Sequence, residues 1–417
     1  MKNASSQLWL IATSVFLGLS LWFSTSAVGP EIETAWDLSS GQVAWLTMAV
    51  QLGFVLGTLL SAILNLPDRM PAQWLMAGCS AVGGLVNLVI ALGISDDWGS
   101  TSGGFNAVVT CRLVIGITMA GIYPPGMKLV ASWFSQRRGL AIGVVVGALT
   151  VGSASPHLLL ALPLADWLQV AEGGLPLWRL ELLVVSVAAG VSSLVAAFGI
   201  RPGPLLPRTT EFDWRYFYRM WRNEPLRRAN FGYLGHQWEL YAMWTWVPLL
   251  VVGSFAEAGW DPTWGRMASF SVVGIGGVGC VAAGLFSDRF GRTRTTMVCL
   301  AASGGCCLVA GWLEAYPLAL TIVCLVWGIT VVADSAQFST AISELSPPDL
   351  VGTALTVQTC IGFLLTVATI RLVPLLQEQE GWPLALSMLA LGPVFGIWHM
   401  ARLRKHPEAA RMAAGQR

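Results

Sequence analysis

Twelve apolar runs, each close to twenty residues long, leave this chain little choice of fold. They fall near 8–29, 43–65, 73–94, 105–127, 139–164, 178–200, 229–254, 266–286, 293–313, 317–342, 352–376 and 382–401. A helix needs about 20 apolar residues to cross a ~30 Å hydrocarbon core, so each run can span a bilayer. Inside hydrocarbon every backbone polar group must find its partner within the protein, which leaves only helices and closed barrels. Continuous runs, rather than ten-residue alternations, exclude the barrel. Composition agrees: of 417 residues 55% are hydrophobic and only 11% charged, where soluble domains carry about a quarter. The expected fold is an all-α membrane protein with twelve transmembrane helices. The first run lacks a small-residue cleavage site and reads as a span rather than a signal peptide.

The charges orient the spans. One set of connections holds Lys2, Arg69, Arg137, Arg138, Arg201, Arg208, Arg215, Arg219, Arg222, Arg227, Arg228, Arg289, Arg292, Arg294, Arg402, Arg404, Lys405, Arg411 and Arg417. These are 19 of the 24 Lys and Arg. The opposite set is acidic, with Glu31, Glu33, Asp37, Asp96, Asp97, Asp166, Glu172, Glu257, Asp261, Glu314, Glu378 and Glu380. The positive-inside rule then puts both termini in the cytoplasm. Connection 10–11 is the exception, carrying Glu344 and Asp349 and no Lys or Arg. All eight cysteines fall inside spans without metal-ligand spacing, where a thiol behaves as a small hydrophobe.

The longest internal connection, 201–228, divides the chain into bundles 1–200 and 229–417. Within it Trp214, Phe217, Tyr218 and Trp221 recur at helical spacing, with Arg215, Arg219 and Arg222 on an adjoining face. That pattern fits either an interfacial helix on the membrane surface or a packed linker. Two six-span halves invite a search for a repeat. After span 8 comes Gly284-Leu-Phe-Ser-Asp288-Arg289-Phe-Gly291-Arg292, and after span 2 comes Leu64-Asn-Leu-Pro-Asp68-Arg69-Met-Pro71-Ala72. The Asp-Arg core survives in both, at the same loop of each half.

Twelve spans in two six-helix halves, joined by a cytoplasmic loop and marked by this signature, resemble the major facilitator superfamily of secondary transporters. The 284–292 segment is similar to the superfamily's G-x-L-x-D-R-x-G-R loop. Arg112-Leu-Val-Ile-Gly116 through Gly121-Ile-Tyr-Pro-Pro125 to Trp133-Phe-Ser-Gln-Arg137-Arg138-Gly139 resembles its fourth-helix motif. The resemblance implies two pseudo-symmetric bundles, alternating access about a central site, a monomer, and gating roles for Asp68, Arg69, Gly284, Asp288, Arg289, Gly291 and Arg292. Span 5 departs from the antiporter signature, reading Gly139, Gly143, Gly147 and then Gly152-Ser-Ala-Ser-Pro156-His157, which argues against drug export. Its glycines at every fourth position still form a close-packing face.

An ionisable group inside a span costs roughly 2.5–3.5 kcal/mol at the centre on the insertion scale, so each is a candidate functional group. His236 and Glu239 are three apart on one face of span 7, roughly 10–15 Å into it at ~1.5 Å per residue. Desolvation disfavours a charged carboxylate, and a neighbouring imidazole can exchange a proton with it. The two are expected either to handle protons or to neutralise one another and lock helices. On span 10 Asp334 and Gln337 share a face, positioned to hold a proton, a cation or a polar substrate, or to form a gate near the cytoplasmic end. Arg112 on span 4 and His157 on span 5 are candidates for an anion clamp, with a structural role for the arginine as the alternative. The stripe Thr356, Thr359, Gly362, Thr366 and Thr369 on span 11 lines a cavity or joins helices. Trp22, Trp238, Trp244, Trp246 and Trp327 lie deep enough to wall an apolar pocket.

These readings converge on a proton-driven secondary transporter of the cytoplasmic (inner) membrane, favoured as an importer of a small organic anion. His236, Glu239 and Asp334 are expected to carry protons, and Arg112, His157, Trp246, Gln337, Thr359 and Thr366 to contact substrate. The expected partners are a small solute, protons and lipid. No cofactor, metal cluster or nucleic-acid patch is expected, and no nucleotide fingerprint or nucleophile elbow points to an enzyme. The alternatives are a proton-coupled exporter of an amphipathic compound and a non-transporting sensor on a carrier fold.

Overall fold

The computed structural model describes residues 2–134, 138–163, 174–205 and 212–416, with only the backbone of Lys2, Pro67, Asp68, Arg138 and Gly139. Arg137, Asp166, Glu172, Arg208 and Arg417 lie outside the described residues, as does the side chain of Asp68. All regular structure among the described residues is helical. Ten helical stretches are long and apolar enough to cross a membrane. The last of them, Val351–Lys405, reverses at Gly381 (φ 78°) and holds spans 11 and 12. Span 1 is Lys2–Leu19, followed after a break by the short helices Ser24–Ala27 and Gly29–Trp36. Together these make the twelve spans. Both termini lie at one end, here called the basic end; the opposite end is the acidic end.

The two halves repeat one packing plan. Span 1 packs on 5 and 6, span 2 on 4, and span 3 on 4 and 6; span 7 likewise packs on 11 and 12, span 8 on 10, and span 9 on 10 and 12. Glycine allows the closest of these approaches. A Cβ on Gly53 of span 2 would lie 2.0 Å from the Leu113 carbonyl oxygen of span 4. In the other half, a Cβ on Gly328 of span 10 would lie 1.8 Å from the Val272 oxygen of span 8. Between the halves span 5 meets span 8 and span 2 meets span 11. The glycine face expected on span 5 is there: Gly143 lies against Val281, and Gly147 against Gly277.

Four spans are interrupted along their length. Span 1 opens at Ser20–Phe23, span 4 at Ala120–Ile122, span 8 at Ile275 and span 10 at Asp334. In span 4 the cause is local: Pro124 and Pro125 fit the first turn of Tyr123–Trp133 and cannot continue the helix before them. At the basic end the repeated loops turn differently. Gly291 takes φ 90°, where any side chain would be strained, whereas Pro71 stands at the matching position and the left-handed residue is Asn65 (φ 50°).

The 201–228 connection forms the helix Trp214–Arg222, which buries Tyr216 and Met220 against spans 7 and 11. Trp214 and Tyr218 of the expected aromatic stripe face outward, so the helix has one packed face and one exposed aromatic face. The C-terminal segment Pro407–Gly415 also docks at this end, burying Ala409 and Met412 beside Phe338 and Leu345.

Crowding at the glycine contacts should show in stability. Gly328→Ala should cost about 1–3 kcal/mol by overpacking. Gly305→Ala, where an added Cβ meets nothing within 4 Å, should be neutral or gain about 0.5–1 kcal/mol. Thermal unfolding of the purified variants in detergent measures both.

Candidate functional site

Where the halves meet, the middle of the molecule is filled by rings. Trp22 and Phe23 of span 1 and Phe54 of span 2 pack on Tyr241 and Trp244 of span 7 and Phe363 of span 11. Centroids lie 4.5 Å apart for Phe54–Phe363, 5.7 Å for Trp22–Tyr241 and 5.9 Å for Phe23–Trp244. At the acidic end Arg266, four residues past the start of Pro262–Gly274, bridges to the N-terminal half. Its Nη2 meets Glu31 Oε1 at 2.8 Å and its Nη1 donates to the Leu160 carbonyl at 2.9 Å. Burial first, and the like charge of Glu378 in the other half second, push the Glu33 carboxyl above its usual range.

The break in span 10 places Asp334 between two helices, ending Pro317–Ala333 and opening Ser335–Leu345. Its Oδ1 lies 2.9 Å from Nδ1 of His236 on span 7, and both side chains are sealed from solvent. None of the four polar side-chain atoms of His236 and Asp334 makes a hydrogen bond among the described residues, so the two meet as a close ion-pair contact. Glu239, one turn further along span 7, is equally buried but faces span 9. Ser303 Oγ donates to its Oε1 at 2.5 Å and Cys307 Sγ to its Oε2 at 3.2 Å. The His236–Glu239 couple read from helical spacing is thus replaced by two separate contacts, His236 with Asp334 and Glu239 with Ser303 and Cys307. Sharing a face of one helix does not give two side chains the same neighbour.

The clamp residues also need correction. Arg112 is fully buried and is used by the backbone: Nε donates to Leu46 O (3.1 Å), Nη1 to Leu21 O (2.9 Å) and Ser24 Oγ (3.2 Å), and Nη2 to Trp22 O (2.6 Å). It holds the carbonyls that the break in span 1 leaves unpaired, and its bidentate fork is not offered to a solute. None of these bonds goes to His157, which is buried on span 5. Trp246 donates from its indole to Ile370 O at 3.0 Å, joining span 7 to span 11. Thr366 donates to Phe363 O of its own helix at 2.7 Å, and Thr359 is half-buried.

Gln337 likewise leaves the expected cavity for the loop. Arg292 Nη1 donates to Gln337 Oε1 at 2.9 Å, to Ser287 Oγ at 2.7 Å and to Asp288 Oδ1 at 3.2 Å. Its Nη2 donates to Glu344 Oε1 at 3.1 Å. Glu344 in turn accepts the backbone N–H of Ala413, so the docked C-terminal segment joins the same network. This explains the acidic exception in connection 10–11: Glu344 serves the arginine of the neighbouring loop. Arg289 rests over the ring of Phe290 at 5.3 Å, Gly284 is half-buried, and Arg69 of the first copy is exposed.

Spacing gave no sign of Ser303 and Cys307 as partners, and Glu181 was hidden by its place at the end of span 6. Other polar groups face inward without partners among the described residues: both side-chain atoms of Gln51, Oε1 of Gln237, Nε2 of Gln358 and the indole of Trp22. Gln237 donates from Nε2 to the Tyr233 hydroxyl.

Two pseudo-symmetric six-helix bundles with buried polar groups are an architecture that secondary transporters share. The chain matches the Major Facilitator Superfamily over residues 10–369 and belongs to it. No curated protein matches the sequence. Among solved structures it resembles a bacterial homolog of the human lysosomal transporter Spinster, inward-facing and unoccupied. The TM-score is 0.69 at 15% identity, over 96% of each chain. It also resembles a mutant of the nucleoside transporter NupG, with TM-score 0.69 at 13% identity, over 96% of this chain and all of that one. At these identities the likeness is one of fold.

Two outcomes follow. Removing Arg112 should unfold rather than merely disarm the protein, because each abandoned carbonyl costs about 1–3 kcal/mol. Arg112→Ala should therefore lose several times the stability of a surface substitution, measured by thermal unfolding without any ligand. Glu33→Gln should raise the melting temperature at pH 7, since ionising a carboxyl whose folded pKa is raised costs stability. The gain should vanish below about pH 4, where Glu33 is protonated in both states.

Proposed function

We propose that this chain couples solute movement to protons, with the His236–Asp334 pair as the coupling group. The observation that carries the reading is their 2.9 Å contact at the break of span 10, sealed from water and with no hydrogen bond from either group to the rest of the described residues. An imidazole beside a carboxylate can share a proton with it, and exposing the pair to either bath changes whether that proton is held. Glu239, held by one hydroxyl and one thiol, is the second acid of the same half. Because the pair bridges spans 7 and 10, a change in its charge alters how those helices pack, which is what a moving half requires.

The proposed solute is a small polar molecule met by the amides of Gln51, Gln237 and Gln358 and by the central rings. These amides are buried with unused donors and acceptors, and such groups are costly unless a ligand satisfies them. An organic anion clamped by Arg112 is not part of this reading, because that guanidinium is committed to span 1. The basic end is proposed to face the cytoplasm from the inner membrane, by the positive-inside rule, with the chain acting as a monomer.

The test uses proteoliposomes with a pH-sensitive dye inside and a panel of polyols, nucleosides, amino acids and carboxylates outside. A transported solute should change the internal pH, by acidification for symport and alkalinisation for exchange. Asp334→Asn and His236→Gln should slow that change about tenfold or more, a loss of about 1.4 kcal/mol, while isotope exchange of the solute against itself persists. Undiminished proton flux in Asp334→Asn would overturn the proposal.

A further inference from the structure

A carboxylate that the proton-coupling reading does not use lies in the N-terminal half. Glu181, four residues into the helix Leu177–Leu194 of span 6, is fully buried, and neither of its oxygens has a hydrogen-bond partner among the described residues. Spans 1, 3 and 5 and the short helix Ser24–Ala27 pack on its helix. On those elements the titratable side chains within the bundle are the buried His157 of span 5 and the half-buried Cys79 of span 3. The charges acting on Glu181 are Arg112 of span 4 and Glu31 beyond the break in span 1. On its own helix Arg179 is turned away, donating to Ala91 O, Ile94 O and Asp96.

The two charges belong to two devices already described. Arg112 fixes the break in span 1 through three hydrogen bonds and ties it to Leu46 of span 2 through a fourth, none of them to Glu181. Glu31, past that break, forms the 2.8 Å bridge to Arg266 that ties the halves at the acidic end. An ionised carboxylate with no donor in a dry interior is among the least tolerable groups a fold can hold, so the packed arrangement suits the neutral acid.

We propose that Glu181 is a proton-binding site of the N-terminal half, loaded from the acidic end, and that the Glu31–Arg266 lock closes over its protonated form. When the lock parts, water reaches the carboxyl and takes its proton as hydronium. Closing again would strip that water from a carboxylate whose two oxygens have no donor in the packed form, which opposes closure until a proton returns. This rests on the alternating-access mechanism of the family and not on the His236–Asp334 pair. Because the closed form binds the extra proton, falling pH favours closure. One proton limits the change in the closed-to-open ratio to about tenfold per pH unit.

The test is hydrogen–deuterium exchange of the purified protein in lipid nanodiscs without solute. Segments 29–36 and 258–266 are followed at pH 6 and pH 8, corrected for chemical exchange. In the wild type these segments should be more open at pH 8, by up to about tenfold per pH unit. Glu181→Gln should remain closed at both, and Arg266→Gln open at both. Glu33→Gln and Asp334→Asn should keep the wild-type response, which separates this site from the raised Glu33 carboxyl and from the coupling pair. If Glu181→Gln does not fold, Glu181→Met replaces it. A wild-type response surviving in the Glu181 variants, or no response in the wild type, overturns the proposal.

Discussion

A helix broken inside hydrocarbon exposes backbone groups that no solvent will satisfy, and this protein breaks spans 1, 4, 8 and 10. Each break must be settled by something brought from elsewhere in the fold. At span 1 the settlement is Arg112, whose fork collects the carbonyls of Leu21 and Trp22 and ties them to Leu46 of span 2. At span 4 it is local, with Gly121 and Ile122 turning back to the carbonyls of Thr118 and Met119. At span 10 the broken residue is itself an acid, Asp334, and its partner His236 comes from span 7. The interruptions are where a rigid bundle acquires places to bend and polar groups to bend around.

The contacts between the halves are of different kinds at different depths. Rings meet in the middle, glycines let spans 5 and 8 come close, and at the acidic end the Arg266–Glu31 ion pair crosses the junction. Ring contacts are non-directional and tolerate sliding, whereas an ion pair is lost over a short displacement. At the basic end Arg292 instead stays within its own half, binding Gln337 and Glu344 of span 10. The loop signature thereby stiffens the span that carries Asp334.

Much of the fold was legible because its cause is local. A bilayer demands a fixed length of apolar helix, so composition alone locates the spans, and the repeated Asp-Arg loop exposes the two halves. The breaks were not read from the sequence: the one beside Pro124 and Pro125 has a local cause, but those in spans 1 and 10 are settled by partners distant in sequence. Arg112 answers carbonyls some ninety residues earlier in the chain. The site was half legible. His236, Glu239 and Asp334 stood out as charges in apolar runs, but helical spacing paired the wrong two, since a side chain's neighbour is chosen by the facing helix. Glu181 went unseen because, two residues from Arg179 at the end of a span, it looked like part of the membrane surface. Glu344, an anomaly in the charge count, became intelligible only once Arg292 was found beside it.

The central claim is that Asp334, held by His236, gives up and regains a proton in the folded protein. Infrared difference spectroscopy of the reconstituted protein, titrated between pH 5 and pH 9, tests it without knowledge of the solute. The account predicts a protonated-carboxyl band that titrates in the wild type, disappears in Asp334→Asn and shifts in His236→Gln. A carboxyl spectrum identical in the wild type and Asp334→Asn across that range would contradict it.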